Sequence, residues 1–252
     1  MKLKGKLIIT GEIQALTGLA IGGSKTDVTI GGIDNNVIKT SEGVPYIPGS
    51  SLKGKLRSLI EKSEGRDKVC NCGTSDCPIC TIFGTGLPSS NKKMEAGPTR
   101  LYVRDAHLND EIKSMMENKE GTFSELELTY TEGKWENTID RLTSRAAHPR
   151  LQERVPAGSK FDFNIIYNIL TDLDIDYFKY VIGAFRLLED DYLGGNGSRG
   201  YGRVKFSDLT VVLKTVHDYE QGSRGQNVFS GELADIEANS IIEEIKRILK
   251  EA

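Results

Sequence analysis

An isolated acidic residue in a glycine-rich loop, followed by a basic helix, is the feature of this chain that most suggests chemistry. Asp34 lies in the segment IGGIDNN, where glycine and asparagine favour turns that expose a short carboxylate to a partner. Further along, YIPGSSLKGKLRSLI combines apolar residues at helical spacing with basic side chains. This arrangement suggests an acid that acts beside a polyanion. A turn aspartate next to a solvated basic helix is the alternative.

The basic helix is predicted over about residues 50–63, after Pro48 and Gly49 close a short extended run. Ser50 or Ser51 could cap its first backbone amides. A helix start with free amides, hydroxyls and nearby cations is suited to bind a phosphate group. The cations that accompany the apolar face are Lys53, Lys55 and Arg57.

All four cysteines lie in VCNCGTSDCPIC, as Cys70, Cys72, Cys77 and Cys80 with the spacing C-x-C-x4-C-x2-C. Four thiolates in a short loop favour tetrahedral Zn²⁺, and a site with four protein ligands is structural because no position remains for water. Disulfides are the alternative, less suited to an intracellular chain. Because the first spacing is tight, His107 could replace Cys70 as the fourth ligand.

The composition indicates a globular protein, since 38% of the 252 residues are hydrophobic and 27% are charged. No apolar run approaches the roughly 20 residues of a membrane span, and the N-terminal segment alternates apolar and polar residues, unlike a signal peptide. We therefore expect a cytoplasmic protein without membrane contact. Because the formal net charge is -3, a nucleic acid would have to bind local basic clusters.

A second glycine-rich segment, LGGNGSRGYGR at residues 193–203, could bring backbone amides and two arginines close to phosphates. A long turn is the alternative. It contains GxGxxG, but between a predicted helix and a predicted strand, which is the reverse of the dinucleotide-binding order, so a Rossmann site is rejected. The arginine-rich residues 135–156 have little periodicity and suggest an extended arm or a surface loop.

The main predicted elements follow the order strand, helix, strand, strand, helix, strand, which is the ferredoxin-like βαββαβ order. The predicted class is α+β, with an antiparallel sheet, helices on one face and an open face that could receive RNA. A hairpin turn is predicted at residues 132–134. The strands are predicted at about 3–14, 101–108, 161–170 and 201–213, and the later helices at 110–119, 174–190 and 231–250.

Several sequence blocks occur together along the chain: IGGIDNNVIK at 30–39, YIPGSSLKGKLR at 46–57, the cysteine loop leading into IFG, ENTIDRLT at 136–143, ERVPAG at 153–158 and GGNGSRGYG at 194–202. Together they resemble the repeated backbone subunit of the type III-A CRISPR (Csm) effector complex, within the RAMP superfamily. The resemblance extends to about residue 212.

The resemblance implies one elaborated RRM-like domain over residues 1–252. Its cysteine-loop, zinc-binding insertion would cover 66–98, a protruding thumb hairpin that interrupts the guide–target duplex would lie at about 122–150, and a C-terminal extension with a helix would cover 213–252. The implied partners are guide CRISPR RNA, complementary target RNA, further copies of the chain and other subunits of the complex.

The resemblance also implies a metal-dependent endoribonuclease, in which Asp34 matches the cleavage aspartate and works with Mg²⁺ or another divalent metal. Asp34 could take the proton of the attacking 2′-hydroxyl or hold a hydrated metal ion. The implied RNA-binding residues are Ser50, Ser51, Lys53, Lys55, Arg57, Arg141, Arg150, Gly195, Gly197, Arg199, Gly200 and Arg203.

Two residues depart from the family pattern: Ala20 stands where members often have histidine, and Asn36 where they have proline. The first removes an RNA contact or a proton-transfer group. A non-catalytic, guide-binding assembly subunit therefore stays an alternative. A ribonuclease that processes guide precursors is another, although the sequence offers no convincing catalytic histidine for it.

Overall fold

The computed structural model describes residues 1–23, 35–86 and 95–251. Asp34 lies outside these residues. The helices are α1 (Gly49–Ser63), α2 (Pro78–Phe83), α3 (Asp110–Glu117), α4 (Asp172–Glu189), α5 (Val216–Gln221) and α6 (Ala238–Glu251). The strands are β1 (Gly5–Ala15), β2 (Tyr46–Ile47), β3 (Leu101–Val103), β4 (Ala106–Leu108), β5 (Glu132–Ile139), β6 (Ala146–Arg154), β7 (Lys160–Ile169), β8 (Val204–Thr215) and β9 (Gln226–Gly231).

The main sheet is built around β1, which pairs antiparallel with β7 on one side and β8 on the other. Within the described residues the sheet has seven strands in the order β2-β4-β7-β1-β8-β9, with β3 also paired to β7. Along β1, Leu7, Ile9 and Ile13 are buried, and the residues between them are only partly covered. This alternation, with period two, is what the sequence pattern predicted for the first strand.

Helices cover one face of this sheet. α1 and α6 both pack on α4, and α4 packs on β7 and β8. Phe185 of α4 stacks on Phe206 of β8 at 4.6 Å between ring centroids, and Phe163 of β7 meets Phe206 edge-on at 5.6 Å. The opposite face, with half-buried residues such as Ile8 and Asn164, is left without a helix layer among these elements.

The start of α1 differs from the sequence prediction that Ser50 or Ser51 caps it. Its cap position is Pro48, and the amide of Gly49 donates to the Asp105 carboxylate at 2.8 Å. A side chain at Gly49 would lie 2.2 Å from the Val103 carbonyl oxygen, so the helix begins in close contact with the chain after β3. The predicted serine cap is therefore wrong, because a residue distant in sequence supplies the acceptor.

Residues 101–108 also differ, because they form two short strands instead of one. β3 and β4 both pair with β7, and one extra residue at Arg104–Asp105 interrupts the ladder, although the Arg104 amide still donates to the Asn164 carbonyl at 3.1 Å. This break is what allows the Asp105 carboxylate to reach α1. The continuous strand prediction failed because this local sequence contains no glycine or proline to mark the interruption.

The predicted hairpin turn at residues 132–134 is wrong. These residues begin β5, and Glu132 lies opposite Arg154 of β6 with a 2.7 Å ion pair. The turn lies near Asp140, whose carboxylate accepts from the amides of Leu142 and Thr143. The arginine-rich segment thus comprises most of β5, the turn and β6, and its apolar periodicity is weak because most of this hairpin is exposed.

The C-terminal helix begins at Ala238, later than the predicted residue 231, because the strand β9 precedes it and pairs with β8. α6 buries one apolar stripe that includes Ile241, Ile245 and Ile248. The part of the chain that the structure describes includes no helix with the length and apolar character needed to cross a bilayer.

Candidate nucleic-acid interface and metal centre

The chain that follows Asp34 lies against the end of the β5–β6 hairpin where β5 begins and β6 ends, which we call the hairpin base. Asn35 forms a parallel bridge with Gln152, and its carbonyl accepts from the amide of Glu153 at 3.1 Å. Asp34 itself is outside the described residues, so its role as cleavage residue stays a prediction. The first described residue after it is nevertheless fixed to β6.

Glu153 connects this segment to the hairpin through its side chain. The buried carboxylate accepts from the Val37 amide at 3.0 Å, from the Thr131 hydroxyl at 2.6 Å and from Lys39 Nζ at 2.5 Å. A buried carboxylate is stable only with such partners. Sequence reasoning missed Glu153, because its spacing did not distinguish it from a surface acid.

The glycine-rich loop lies beside the N-terminal segment that follows β1. The amide of Gly195 donates to the Ala20 carbonyl at 2.8 Å, and the amide of Gly202 donates to the Gly18 carbonyl at 2.9 Å. A side chain at Gly202 would lie 2.1 Å from a backbone oxygen, and φ there is +74°, so only glycine fits. Glycine therefore allows two backbone segments to approach closely.

The two arginines of this loop remain accessible. Arg199 ends a short 3₁₀ turn that begins at Gly197, and Gly200 follows it with φ +82°. Arg199 and Arg203 are exposed and form no ion pair with any described residue. A groove of about 550 Å³ runs here and is lined partly by Gly197, Gly200 and Arg203. Three acidic residues also line it: Glu189, Asp190 and Asp191. The loop therefore offers unpaired cations beside a groove.

The cations of α1 instead contact other parts of the protein. Lys53 donates to the Leu101 carbonyl at 2.9 Å, and burial, assisted by the charge of Arg57, lowers the pKa of Lys53. Arg57 donates to Glu61 at 2.9 Å and to the Gly84 carbonyl at 2.9 Å. Both side chains join α1 to segments that follow it, and their predicted RNA contacts stay predictions.

Lys55 places α1 next to the glycine-rich loop. Its Nζ lies 3.7 Å from the centroid of the Tyr192 ring and 3.2 Å from the Asp191 carboxylate, just before the loop. Two predicted RNA-binding elements, separated by more than a hundred residues in sequence, are therefore neighbours. The spacing of residues in the sequence could not have identified Tyr192 and Asp191 as the partners of Lys55.

The remaining predicted RNA-binding residues lie at the start of α1 and on the hairpin. Ser50 is exposed and Ser51 is half-buried in the first turn of α1. Arg141 is exposed in the hairpin turn, and Arg150 lies in β6, 4.0 Å from Glu136. Trp135 of β5 is 67% exposed.

The four cysteines form one compact cluster. The Sγ atom of Cys70 lies 3.8 Å from that of Cys72, 3.6 Å from that of Cys77 and 3.7 Å from that of Cys80. Sulfur atoms at the corners of a Zn²⁺ tetrahedron are separated by about 3.8 Å, whereas a disulfide needs about 2.05 Å. The cysteines are free, and together they can hold a metal ion.

His107 is not part of this cluster. It lies in β4, pairs with Tyr46 across the sheet and stacks on the Tyr46 ring at 6.1 Å between centroids. Cys70 supplies the fourth sulfur of the cluster instead. The tight spacing between Cys70 and Cys72 is therefore compatible with a shared site.

Hydrogen bonds within the cysteine loop, together with burial, set the environment of the thiols. Burial raises the pKa of Cys77 and of Cys80. Burial also acts to raise the pKa of Cys72, but hydrogen bonds from Thr74 and the other thiols outweigh it and lower this pKa to about 6. The amide of Gly73 donates to Cys80 Sγ at 3.5 Å. Such outer contacts hold metal ligands in their orientation.

The sequence matches known proteins over most of its length. The family model described as RAMP superfamily matches residues 12–205. The protein named CRISPR system Cms endoribonuclease Csm3 of Methanocaldococcus jannaschii is 42% identical over 98% of this chain and 96% of its own length. The protein of the same name from Methanothermobacter thermautotrophicus is 42% identical over 94% and 98%.

Solved structures agree with this relationship. A chain in the crystal structure of the Csm3-Csm4 subcomplex of the type III-A CRISPR-Cas interference complex has a TM-score of 0.61 and 32% identity, with 98% of each chain covered. Methanopyrus kandleri Csm3 has the same fold, with a TM-score of 0.61 at 21% identity over 100% of this chain and 99% of its own. The chain therefore belongs to the Csm3 family within the RAMP superfamily.

Proposed function

We propose that this chain is the guide-RNA-binding backbone subunit of a type III-A CRISPR interference complex and cuts target RNA. The observation that carries the proposal is the 42% identity, over nearly the whole of both chains, to a protein named as a Csm3 endoribonuclease. Structural similarity over 98% of each chain to a member of the Csm3-Csm4 subcomplex supports assembly with other subunits. The partners would be guide RNA, complementary target RNA and further copies of the chain.

A ferredoxin-like, RRM-like palm is the finer fold that we propose. Four strands fit the predicted βαββαβ order along the chain. The first is β1, the second is the β3–β4 pair, the third is β7 and the fourth is β8. Across the sheet these strands lie in the order β8, β1, β7 and the β3–β4 pair. This spatial order supports the ferredoxin-like arrangement. The two helices between them would be α1 and α4, which pack together on one face.

The β5–β6 hairpin would be the thumb that interrupts the guide–target duplex. It forms a separate two-stranded sheet, and its turn exposes Leu142 at 96% and, at the end of β5, Ile139 at 62%. Apolar side chains that insert between bases can unstack them. The exposed apolar side chains at the tip of this charged hairpin support its role as the thumb.

Asp34 would be the catalytic residue. Its carboxylate would accept the proton of a target 2′-hydroxyl, and that oxygen would attack the adjacent phosphorus. The 5′-oxygen of the next nucleotide would leave and take a proton from water, giving a 2′,3′-cyclic phosphate and a 5′-hydroxyl. Bound Mg²⁺ or another divalent metal would supply neutralisation of phosphate charge. The hairpin would hold the scissile nucleotide in line for this attack.

The cysteine cluster would hold structural Zn²⁺. Four soft thiolate ligands favour Zn²⁺ over harder cations, and their separations support tetrahedral geometry. Arg57 also donates to the Cys70 carbonyl, and the Tyr177 hydroxyl donates to the Asp76 carbonyl at 2.9 Å. The metal-bound segment would therefore support α1 and α4, with no part in the cleavage chemistry.

The proposed function predicts regularly spaced cuts in target RNA. The guide-loaded complex is incubated with end-labelled complementary RNA in Mg²⁺, in EDTA and in EDTA followed by excess Mg²⁺. We expect cuts that disappear with EDTA and return with Mg²⁺. Tight target binding without cuts would instead establish the assembly subunit. Cutting of guide precursor without target or metal would establish the processing ribonuclease.

Reversing the charges of the glycine-rich loop should weaken guide binding. The double substitution Arg199→Glu with Arg203→Glu is expected to lower guide affinity by about 10- to 100-fold and to reduce the salt dependence by about two phosphate contacts. The measurement is filter binding of labelled guide at several salt concentrations. Lys113→Glu with Lys250→Glu applies the same charge change in α3 and α6. An equal loss of affinity in that control would contradict a specific contact.

A further inference from the structure

One aromatic side chain of the glycine-rich loop is enclosed beneath the hairpin. Tyr201 is only 1% exposed. Lys134 Nζ of β5 lies 4.7 Å from the centroid of its ring, and the guanidinium carbon of Arg154 of β6 lies 5.1 Å from it. Tyr201 therefore contacts both strands at the hairpin base through cation–π interactions, which strengthen when water is excluded.

Arg154 is held over this ring by two further features. Its Nε atom donates to the Glu132 carboxylate at 2.7 Å, directly across the hairpin. Gly18 also lies close to Arg154, because a Cβ added there would be 2.3 Å from Arg154 Cδ. Arg154 thus occupies space that a side chain at position 18 would need. The ring of Tyr201 is therefore enclosed between the glycine-rich loop and the hairpin.

The opposite face of the hairpin base is fixed independently. Adjacent residues of a strand point to opposite faces, so Arg154 faces Tyr201 while Glu153 faces away from it. Glu153 accepts from Lys39 and from the Val37 amide, in the segment that follows Asp34. The base is therefore held between the glycine-rich loop and the segment that carries the proposed catalytic residue.

The ring of Tyr201, not its hydroxyl, makes these contacts. The hydroxyl is buried and has no hydrogen bond of good geometry among the described residues. Burial, with the nearby Glu136 carboxylate, raises the pKa of Tyr201 to about 12, so the side chain is neutral at physiological pH. A phenylalanine would therefore preserve both cation–π contacts of the ring while removing only the hydroxyl.

We propose that Tyr201 is a positioning residue whose ring sets the angle of the hairpin and thereby the phosphodiester at which target RNA is cut. The inference rests on the proposed function. The eight residues of β5 extend over about 26 Å, so a tilt of about 10° at the base moves the far end by about 4–5 Å. In-line attack fails with misplacements of about 1 Å. A small change at the ring would therefore misplace the scissile group.

The test compares the natural chain with Tyr201→Phe and Tyr201→Leu in complexes loaded with the same guide. Product lengths at single-nucleotide resolution and single-turnover rates are measured, together with melting temperature and target affinity. We expect Tyr201→Phe to match the natural chain within about twofold. Tyr201→Leu should bind target normally, cut at least about tenfold more slowly and spread its cuts over neighbouring phosphodiesters.

Phe178→Leu is the matched control, because Phe178 of α4 is equally buried but packs on Tyr167, away from the hairpin. It should lower the melting temperature without moving the cuts. The proposal would be overturned if Tyr201→Leu cut at the same positions and rates as the natural chain, or if Phe178→Leu spread its cuts equally. If the complex with Tyr201→Leu does not assemble, Lys134→Met is tested in its place. This substitution removes one cation from the ring and should still spread the cuts. Unchanged cut positions would overturn the proposal. Absence of any cutting by the natural chain would instead refute the proposed function.

Discussion

Asp34→Ala is expected to leave target binding unchanged and to lower the rate of target cleavage by about 100-fold or more. Loss of a general base, or of a carboxylate that holds a metal ion beside the scissile phosphate, has effects of this size. The measurement is single-turnover cleavage by guide-loaded complexes at saturating protein. Uncut target that stays bound would show that the chemistry, not the assembly, depends on this residue.

Two further substitutions separate the possible roles of the carboxylate. Asp34→Asn keeps the shape but cannot accept a proton, and should be as slow as alanine. Asp34→Cys supplies a soft ligand, so recovery of cleavage in Mn²⁺ or Cd²⁺, but not in Mg²⁺, would indicate direct metal coordination. No recovery with any metal would favour the general base.

Asp110→Ala is the matched control for Asp34, because it removes the same charge from an exposed position in α3. It should cut at the natural rate. Cleavage by Asp34→Ala at the rate of this control would rule out Asp34 as the catalytic residue, and the assembly-subunit interpretation would then gain support.

Cys80→Ser is expected to abolish metal binding and to destabilise the protein by about 3 kcal/mol or more. Cys80 is fully buried, and its Sγ atom lies 3.5 Å from that of Cys72. A serine hydroxyl is a poor ligand for a site built from thiolates. A loss of this size should lower the melting temperature by about 6–12 °C. Metal content per chain, measured by mass spectrometry, should fall from one Zn²⁺ to none.

Thr81→Val provides a control within the same helix. Thr81 is also buried, and its hydroxyl has no hydrogen-bond partner among the described residues, so valine should preserve both metal content and stability. If Cys80→Ser retained one Zn²⁺ per chain, the four-cysteine site would be incorrect. If it lost the metal without loss of stability, the structural role of that metal would be incorrect.

Much of the fold could be predicted because burial leaves a local pattern. β1, β7 and α4 each place apolar residues at the period of their own secondary structure, and each was found within a few residues of its predicted position. The cysteine cluster was predictable for a similar reason, since its sulfur atoms are brought together by a short segment. The family relationship was also visible in contiguous sequence blocks.

Other features depend on contacts that local sequence does not encode. The cap of α1 comes from Asp105, and the hydrogen bonds of Lys53 and Arg57 go to carbonyl groups far along the chain. The hairpin turn was misplaced because charged strands exposed to solvent lack an apolar period. In each case the deciding partner approaches only after the sheet and helices have packed.

The sequence by itself determined the family, the main strands and helices, and the clustering of the four cysteines. Only the tertiary structure decided that Glu153 is a buried acceptor and that Tyr201 lies beneath the hairpin. Periodicity reports which face of one element is buried, because that depends on the element alone. A specific contact between distant residues depends on how several elements pack, and so it is visible only in three dimensions.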